Sequence, residues 1–495
     1  MSGAANISLS RRLILVGLLG RASIIAVAAI LLTLLFFRAY LRFDLSWDAI
    51  AYHYPFAARL MGICDTKCLR LAPNLEVFYS SFPLALNWIQ GALWRITNRP
   101  ESANLLSYFA LLLLIFFLRL QFNIKWYWTT LSLLAVPFVQ IFSTSAYLDM
   151  ATNALAAIGV LTLAEMWVFR RPLTSISTAI FVVSVIILGN SKTQMMPVAL
   201  LIVFLFLAIA TRQRSFVFRW ESRLLAAVAS AVLLLVVCAT AVRNAVVFGN
   251  PVYPVQIELM DIAIFKGIIW PLASNGTASY LMNSPQPLRW LLSVLEYAAF
   301  DMRAVPYTLG QGDVPQTAPS FRMGGYFATY VMINVGLVML AAVKIRSLSG
   351  RVPVFVGILT VLASLLPASH DLRYYMFWII TIVGINAAIF ARYENKDAVV
   401  AIIATCWRLA VVSCLISVTM ITSGRYFESG SGYDIALKIT GVAETVVKLS
   451  ENPDDSIVCV LSERHAVLYS AAFNPGVKYK VIQGEDPSCN VHVRM

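Results

Sequence analysis

Charged residues are scarce in this 495-residue chain, where they make up only 13% of the sequence, and histidine occurs just four times. Hydrophobic residues account for 59%, and the mean hydropathy is +0.76. Because a soluble domain of this length exposes far more charge, the composition excludes a soluble globular protein. It predicts a polytopic membrane protein.

Several motifs that bind phosphate or metal are also lacking. The sequence contains no P-loop, no GxGxxG turn and no HExxH or other compact metal-ligand spacing. The formal net charge is +13, but the basic residues form short clusters between apolar stretches rather than one basic domain. We therefore interpret them first as topology signals and second as contacts for anionic lipid or phosphate, and we expect no nucleic-acid partner.

Apolar stretches of about 17 to 25 residues mark the candidate transmembrane spans. The first follows Arg11, Arg12 and Arg21 and is too long for a signal-peptide core, so we interpret it as a retained span. The pattern predicts eleven spans in all, near 22–41, 102–120, 126–145, 150–169, 174–190, 195–211, 223–243, 325–343, 353–368, 374–391 and 402–422.

The charges between the spans predict their orientation. If the N-terminus is cytoplasmic, every short inner loop is basic, as the positive-inside rule requires. Eleven spans then place the C-terminus outside. The inner loops hold Arg119 and Lys125; Arg170 and Arg171; Arg212, Arg214, Arg219 and Arg223; Lys344, Arg346 and Arg351; and Arg392 and Lys396.

Three long segments fall on the outer side. Residues 42–101 and 244–324 contain aromatic-rich apolar stretches too short or too interrupted to span, for which we expect interfacial or re-entrant helices. In residues 423–495 a predicted amphipathic helix, Asp434 to Leu449, precedes two alternating, strand-like stretches. We therefore predict an all-α membrane domain over 1–422 and a small extracytoplasmic α/β domain over 423–495.

The cysteines fit this topology. Cys238, Cys406 and Cys414 fall within predicted spans, and the other four fall outside. An even number on the outer side permits two disulfides. Cys459 with Cys489 is the better pair because it joins the two predicted strands, whereas Cys64 with Cys68, in CDTKC, is as compatible with free thiols.

Chemically unusual residues also gather on the outer side. They include all four histidines and the turn GNPVYP, Gly249 to Pro254. The others are Asp48, Tyr52, His53, Glu76, Asp149, Lys192, Arg243, His370, Asp371 and Arg373. The inner face offers only topology charges.

Each of these residues also has a purely structural interpretation. Asp48 and Asp149 suit helix N-caps. Lys192 and Arg373 suit cations that snorkel at a span end. His53 suits an aromatic interfacial belt. Their joint placement on one membrane face favours a shared site.

Such a site has a definite chemistry. A carboxylate can act as general base towards an acceptor hydroxyl, and lysine or arginine can bind a phosphate as it leaves. Activated sugars and ATP are made in the cytoplasm, and the inner side offers no phosphate cradle. An activated donor used outside must therefore arrive attached to a lipid.

Five motifs, taken in order, resemble a known family: WDAIAYHYPFA, YLDMATNALA, ILGNSKTQ, RNAVVFGNPVYP and SHDLRYYMFW. Over roughly residues 15–392 the chain resembles the membrane-embedded GT-C glycosyltransferases. Its motifs are similar to those of the bacterial aminoarabinose lipid A transferases, the protein O-mannosyltransferases and the rhizobial lipopolysaccharide sugar transferases. The resemblance implies a GT-C-like fold in the bacterial inner membrane, with the active site on the periplasmic side.

The resemblance also implies an activity: an inverting transfer of sugar from a polyprenyl-phosphate donor to an acceptor hydroxyl on a lipid, a glycan or a protein. Asp48 then corresponds to the preferred general base, and Asp149 to a second acid that positions the acceptor or shares that role. Lys192, Arg373 and, more weakly, Arg243 correspond to cations for the donor phosphate. The site-lining residues are Tyr52, His53 and His370.

The sequence departs from the family in one respect that concerns cofactors. Asp48 stands alone where many relatives carry an adjacent acidic pair, which weakens the case for a metal. We expect no certain cofactor, and a divalent metal stays open.

A transporter or flippase of a phosphorylated lipid-linked sugar is the competing interpretation. It would explain the spans and the outer cations. It explains the outer acids less well, because transport sites lie near the bilayer midplane.

Overall fold

The computed structural model describes residues 2–212, 220–259, 262–268, 284–295, 326–421, 424–453, 455–462 and 465–494. The predicted inner-loop residues Arg214 and Arg219 and much of the 244–324 segment lie outside these ranges. The described part is mostly helical, with two small sheets.

The first twelve helices extend from the N-terminus to the turn GNPVYP. They are α1 (Ser2–Leu41), α2 (Tyr54–Leu60), α3 (Pro73–Ser81), α4 (Ala85–Thr97), α5 (Leu105–Phe122), α6 (Trp126–Leu134), α7 (Pro137–Phe142), α8 (Asp149–Trp167), α9 (Ser175–Gly189), α10 (Met196–Arg212), α11 (Trp220–Val237) and α12 (Ala239–Phe248).

Seven further helices follow in the described residues. They are α13 (Gln286–Val294), α14 (Tyr326–Lys344), α15 (Arg351–Leu365), α16 (Phe377–Tyr393), α17 (Ala398–Ile421), α18 (Tyr433–Ile439) and α19 (Val442–Leu449).

Six helices in the described ranges are long and apolar enough to cross a membrane, so the chain is an integral membrane protein. The pair α11 and α12, bent by 62°, forms a seventh candidate, and α9, α15 and α16 are shorter apolar helices. The six are Leu19–Leu41, Pro100–Phe122, Asp149–Trp167, Thr193–Arg212, Phe327–Lys344 and Ala398–Met420. The count of eleven spans stays a prediction.

One predicted span, 126–145, is not a continuous helix. It is divided into α6 and α7 at Pro137, which is the first residue of α7. Proline lacks the backbone N–H that would continue the helix, and its ring clashes with the preceding turn. The chain therefore reaches Asp149 through short, fully buried turns.

Helix α8 lies at the centre of the bundle, where it packs against α5, α9, α10 and α16. Polar side chains also link helices α14, α16 and α17 to one another. Asn386 of α16 donates to Asn334 of α14, whose side-chain oxygen also accepts from Trp407 of α17. Hydrogen bonds of this kind hold helices together in lipid, where no hydrophobic force drives their association.

The C-terminal segment forms a parallel sheet. Its strands are β4 (Ile457–Val460), β5 (Lys480–Gln483) and β6 (Val491–Val493), and the sheet order is β1-β5-β4-β6, where β1 is Leu69–Arg70. A separate hairpin pairs β2 (Ile257–Leu259) with β3 (Ile262–Phe265).

The α/β sheet thus takes one strand from the first outer segment, although the sequence predicts that the sheet lies within 423–495. The same buried cluster contains Phe43 and Tyr54 from that segment and Phe473 from the tail. The division at 422 stays a prediction.

The predicted helix Asp434–Leu449 is in fact two helices, α18 and α19. The chain turns at Gly441, where φ is +70°, a left-handed conformation that glycine adopts without steric cost.

Two disulfides are present in the structure. Cys64 is bonded to Cys68, with Cα atoms 5.3 Å apart, and Cys459 to Cys489, with Cα atoms 5.7 Å apart. The first closes the turn that leads into β1, and the second links β4 to the loop before β6.

Helices α2 to α4 fill the first outer segment. On α4, Trp88 and Ile96 are 56% and 81% exposed while Asn87, Gln90 and Trp94 are buried. This arrangement fits the predicted interfacial helix, because an exposed tryptophan suits the boundary between lipid and water.

Candidate active site

Four segments that are distant in sequence meet at one end of the bundle, and they form two ion pairs. Arg373 contacts Asp48, with Nη1 3.4 Å from Oδ2, and Lys192 contacts Asp149, with Nζ 2.7 Å from Oδ1. The structure therefore brings together the four residues to which the sequence assigned the main roles.

Asp48 lies just before a short π-helical turn, Ala49–His53, and its own backbone is helical. Its side chain makes no capping hydrogen bond, so the N-cap interpretation is wrong. The carboxylate instead faces Arg373, and its side chain is 18% exposed. A partly exposed carboxylate of this kind remains within reach of a substrate.

Arg373 lies in the 3-10 turn Leu372–Tyr375 before α16, and it is enclosed by polar and aromatic partners. Its Nε donates to Asp371 Oδ2 at 3.0 Å and its Nη2 to the Tyr374 hydroxyl at 3.0 Å. The guanidinium also lies 5.2 Å from the ring centroid of Tyr147 and 4.8 Å from that of Tyr374. Arg373 is therefore a fixed, buried cation and not a snorkelling one.

Asp149 and Lys192 form the more deeply buried pair. Asp149 begins α8, where the helix N-terminus stabilises a negative charge, and its side chain has no exposed surface. Lys192 is 14% exposed, and its Nζ lies 5.2 Å from the Tyr374 ring centroid. Both cations of the site therefore contact the same tyrosine.

The GNSKTQ turn positions Lys192. Gly189 approaches α11 so closely that a Cβ there would lie 2.4 Å from the Val237 carbonyl oxygen, which only glycine permits. Asn190 then donates to the Val236 carbonyl and accepts from the Thr240 N–H. The turn is thus fastened at the bend between α11 and α12.

Asp44 and Asn153 hold the other loops of the site. The buried Asp44 carboxylate accepts from Ser145 Oγ and Ala146 N, which joins the first outer loop to the turn before Asp149. Asn153 donates to the Arg373 carbonyl and accepts from the backbone N–H of Phe377. These bonds fix the acids and cations relative to one another.

Burial and charge shift the pKa values at this site. Burial raises the pKa of Asp48, while the neighbouring Arg373 lowers it, and the balance is a raised pKa. The pKa of Asp371 is raised for the same reason. A carboxylate with a raised pKa is a stronger base than a free aspartate.

His53 is buried and neutral. Burial and the charges of Lys192 and Arg373 hold its pKa well below the usual value. Asn87 lies 3.1 Å from Nδ1, and an amide N–H donating to Nδ1 places the ring proton on Nε2. His53 therefore contributes a dipole but no charge.

Neither Arg243 nor His370 is a member of the two ion pairs. Arg243 is exposed on α12 and donates to Asn244, and no described hydrogen bond links it to either pair. Asn244 in turn donates to the carbonyls of Ser81 and Tyr253, which anchors GNPVYP. His370 is buried, and burial together with the charge of Arg289 lowers its pKa.

Sequence reasoning missed the roles of Asp44, Tyr147, Asn153, Asp371 and Tyr374. Asp371 and Tyr374 flank Arg373 in SHDLRYY, and Asn153 lies one helical turn after Asp149, so both motifs contained a usable signal. Asp44 and Tyr147 had none, because only the folded chain brings them to the site.

The described residues contain no group of three or more histidine, cysteine, aspartate or glutamate side chains that could hold a metal ion. The described side chains at the site include carboxylates, two cations and tyrosine hydroxyls.

The opposite end of the bundle holds a buried ion pair that the sequence analysis missed. Arg392, predicted to be a topology charge, donates to both oxygens of Glu165 at 2.7 and 2.6 Å. Both side chains are buried, so Arg392 has a structural partner in addition to the inner-loop position that the sequence predicts.

Comparison with known proteins adds a similarity in structure. No protein-family model matches the sequence, and no curated protein matches it. The chain is similar to ArnT from Cupriavidus metallidurans in the apo state, with 15% identity and a TM-score of 0.49 over 96% of this chain and 87% of that one.

Two further structures are similar. One is the same ArnT bound to undecaprenyl phosphate, with 16% identity and a TM-score of 0.47 over 94% of this chain and 86% of that one. The other is the arabinofuranosyltransferase AftD from Mycobacteria, with 15% identity and a TM-score of 0.47. There the match covers 93% of this chain but only 32% of AftD.

Proposed function

We propose that this protein is an inverting glycosyltransferase that moves a sugar from a polyprenyl-phosphate donor to an acceptor hydroxyl at the outer face of the membrane. The cluster of two carboxylate–cation pairs, Asp48 with Arg373 and Asp149 with Lys192, carries this proposal. The motif resemblance supplies the donor class.

Asp48 is the general base. The acceptor oxygen attacks the anomeric carbon from the face opposite the phosphate, a carbon–oxygen bond forms as the bond to phosphate breaks, and the acceptor proton passes to Asp48. The partial exposure and raised pKa of Asp48 suit this role better than the fully buried Asp149, whose Oδ1 is held by Lys192. Asp149 instead positions Lys192.

Arg373 and Lys192 stabilise the leaving phosphate. Breaking the glycosidic bond leaves polyprenyl phosphate with one more negative charge, and two fixed cations favour that state over the bound donor. Tyr374 contacts both cations. The phosphate would bind where these two side chains meet.

The decisive experiment compares Asp48→Asn with the wild-type protein, purified in detergent and given a polyprenyl-phosphate sugar and a soluble acceptor. We expect transfer to fall by roughly 10²- to 10⁴-fold, the usual contribution of a general base. Asp434→Asn, which changes an exposed carboxylate of the tail, is the matched control and should keep normal turnover. Near-normal turnover by Asp48→Asn would remove Asp48 from the base role.

The same assay separates transfer from transport. In detergent there is no membrane to separate two compartments. A transporter or flippase would therefore leave the lipid-linked sugar chemically unchanged, whereas a transferase would consume it. Donor binding adds a second measurement: Lys192→Ala and Arg373→Ala should both weaken it, since each removes a charge-assisted phosphate contact. Unchanged donor affinity in both variants would contradict their phosphate role.

A further inference from the structure

A second charged site lies at the end of the helices away from Asp48. A cavity of about 530 Å³ opens between α1, the start of α6, the end of α16 and the start of α17. Helix α16 spans 17 residues from Phe377, next to Arg373, to Tyr393, next to this cavity. At 1.5 Å per residue the two sites are about 25 Å apart.

The lining of this cavity carries an excess of positive charge. Arg21, Lys125 and Arg408 line it, and Glu394 is its one acid among the described residues. Glu394 is already paired with Arg408. Within the described structure neither Arg21 nor Lys125 forms a salt bridge, and residues 1–18, which precede Arg21, contain no acid.

Apolar and aromatic side chains form the rest of the wall. Ile24 and Trp128 line the cavity, and the Arg408 guanidinium lies 5.5 Å from the Trp128 ring centroid. The flanking helices expose apolar side chains beside it, with Leu19 of α1 59% exposed and Ile402 of α17 64% exposed. In the described part of the chain, the cavity thus places two cations that form no salt bridge beside exposed apolar surfaces, the kind of surface that lipid tails cover.

We propose that this cavity binds the head group of an anionic phospholipid, with its phosphate between Arg21 and Lys125 and its acyl chains along α1 and α17. A soluble anion would interact only with the cations, whereas the acyl chains of a lipid would also cover the exposed apolar side chains beside the cavity. The lining also combines cations with Trp128, and such a combination is typical of the depth at which head groups lie. The site is independent of the proposed transferase activity.

Native mass spectrometry of the full-length protein in detergent tests the proposal. Phosphatidylglycerol should bind in preference to phosphatidylethanolamine. Arg21→Gln and Lys125→Gln should each weaken phosphatidylglycerol binding about fivefold, since each basic residue contributes about that factor near an anionic head group.

One control variant and one competition measurement make the outcome decisive. Arg119→Gln removes an exposed cation at the same end of the bundle that hydrogen-bonds to Asn123 and does not line the cavity, so it should leave lipid binding unchanged. An equal loss in Arg119→Gln, equal binding of the two lipids, or displacement of phosphatidylglycerol by millimolar inorganic phosphate would each overturn the proposal.

Discussion

The buried pair of Asp149 and Lys192 offers the sharpest test of how the site is held together. Lys192→Met keeps much of the length of the side chain but removes its charge, and so leaves the Asp149 carboxylate buried without its cation. We expect a marked loss of stability, because Asp149 has no exposed surface through which water could replace Lys192.

The size of the loss follows from the geometry. Removing one partner of a buried ion pair costs about 3–5 kcal/mol. Asp149 also begins α8, and the helix N-terminus offsets about 1 kcal/mol of the cost of an unpaired carboxylate. We therefore expect a net loss of about 2–4 kcal/mol. The double variant Asp149→Asn/Lys192→Met removes both charges and should recover most of it.

Denaturation of the purified protein, followed by the fluorescence of its 11 tryptophans, measures these differences. Lys438→Met, a change to an exposed lysine of α18, is the control and should leave stability unchanged. Wild-type stability of Lys192→Met, or a double variant no more stable than Lys192→Met alone, would show that Lys192 does not offset the buried charge of Asp149. The double variant should still bind donor weakly, because it lacks the phosphate contact.

Two further predictions concern the support of the site and the tail. Asn153→Leu should lower both stability and transfer, because it leaves the Arg373 carbonyl and the Phe377 N–H without their side-chain partner, at about 1–3 kcal/mol; unchanged melting and unchanged turnover would contradict this. Intact mass spectrometry before and after reduction should show the gain of four thiol hydrogens, and Cys459→Ala/Cys489→Ala should lower the gain to two.

Hydropathy located the helices, but not where they break. Most residues of each predicted span lie in described helix, because a bilayer requires long apolar segments, although 126–145 and 223–243 are each divided between two helices. The break at Pro137 could be predicted because proline ends helices, whereas Gly441 was a weaker signal for a turn. Strand β1, only two residues long, carried no pattern, because its partner β5 lies more than 400 residues later in the sequence.

The sequence indicated the four residues of the two ion pairs but not their pairing or the residues that support them. The predicted order of spans determines which loops share a side of the membrane. It therefore predicts that Asp48, Asp149, Lys192 and Arg373 lie at one face. Which carboxylate meets which cation depends on rotations and bends of the helices that a linear pattern does not encode. Arg243 illustrates this limit. Its position at the end of a predicted span did not indicate that its side chain is exposed at the protein surface.

Arg373 links donor binding to the strength of the proposed base. Its Nη1 lies 3.4 Å from Asp48, a longer contact than the 3.0 Å from Nε to Asp371. A donor phosphate would therefore compete more easily for the side that faces Asp48. Burial raises the pKa of Asp48 and Arg373 lowers it, so a bound phosphate that offsets the charge of Arg373 raises that pKa further.

This coupling has a measurable sign. In the proposed mechanism transfer needs the Asp48 carboxylate, so the rate should fall as the pH drops below the pKa of Asp48. The fall of kcat at low pH reports the pKa of Asp48 in the donor-bound enzyme, and the fall of kcat/KM reports it in the free enzyme. Because bound donor raises this pKa, the acid limb of the kcat profile should lie at higher pH than that of kcat/KM. In Arg373→Gln the limb of kcat/KM should move to higher pH, and the gap between the two limbs should close. Coincident limbs in the wild-type enzyme, or a reversed order, would show that Arg373 does not set the basicity of Asp48.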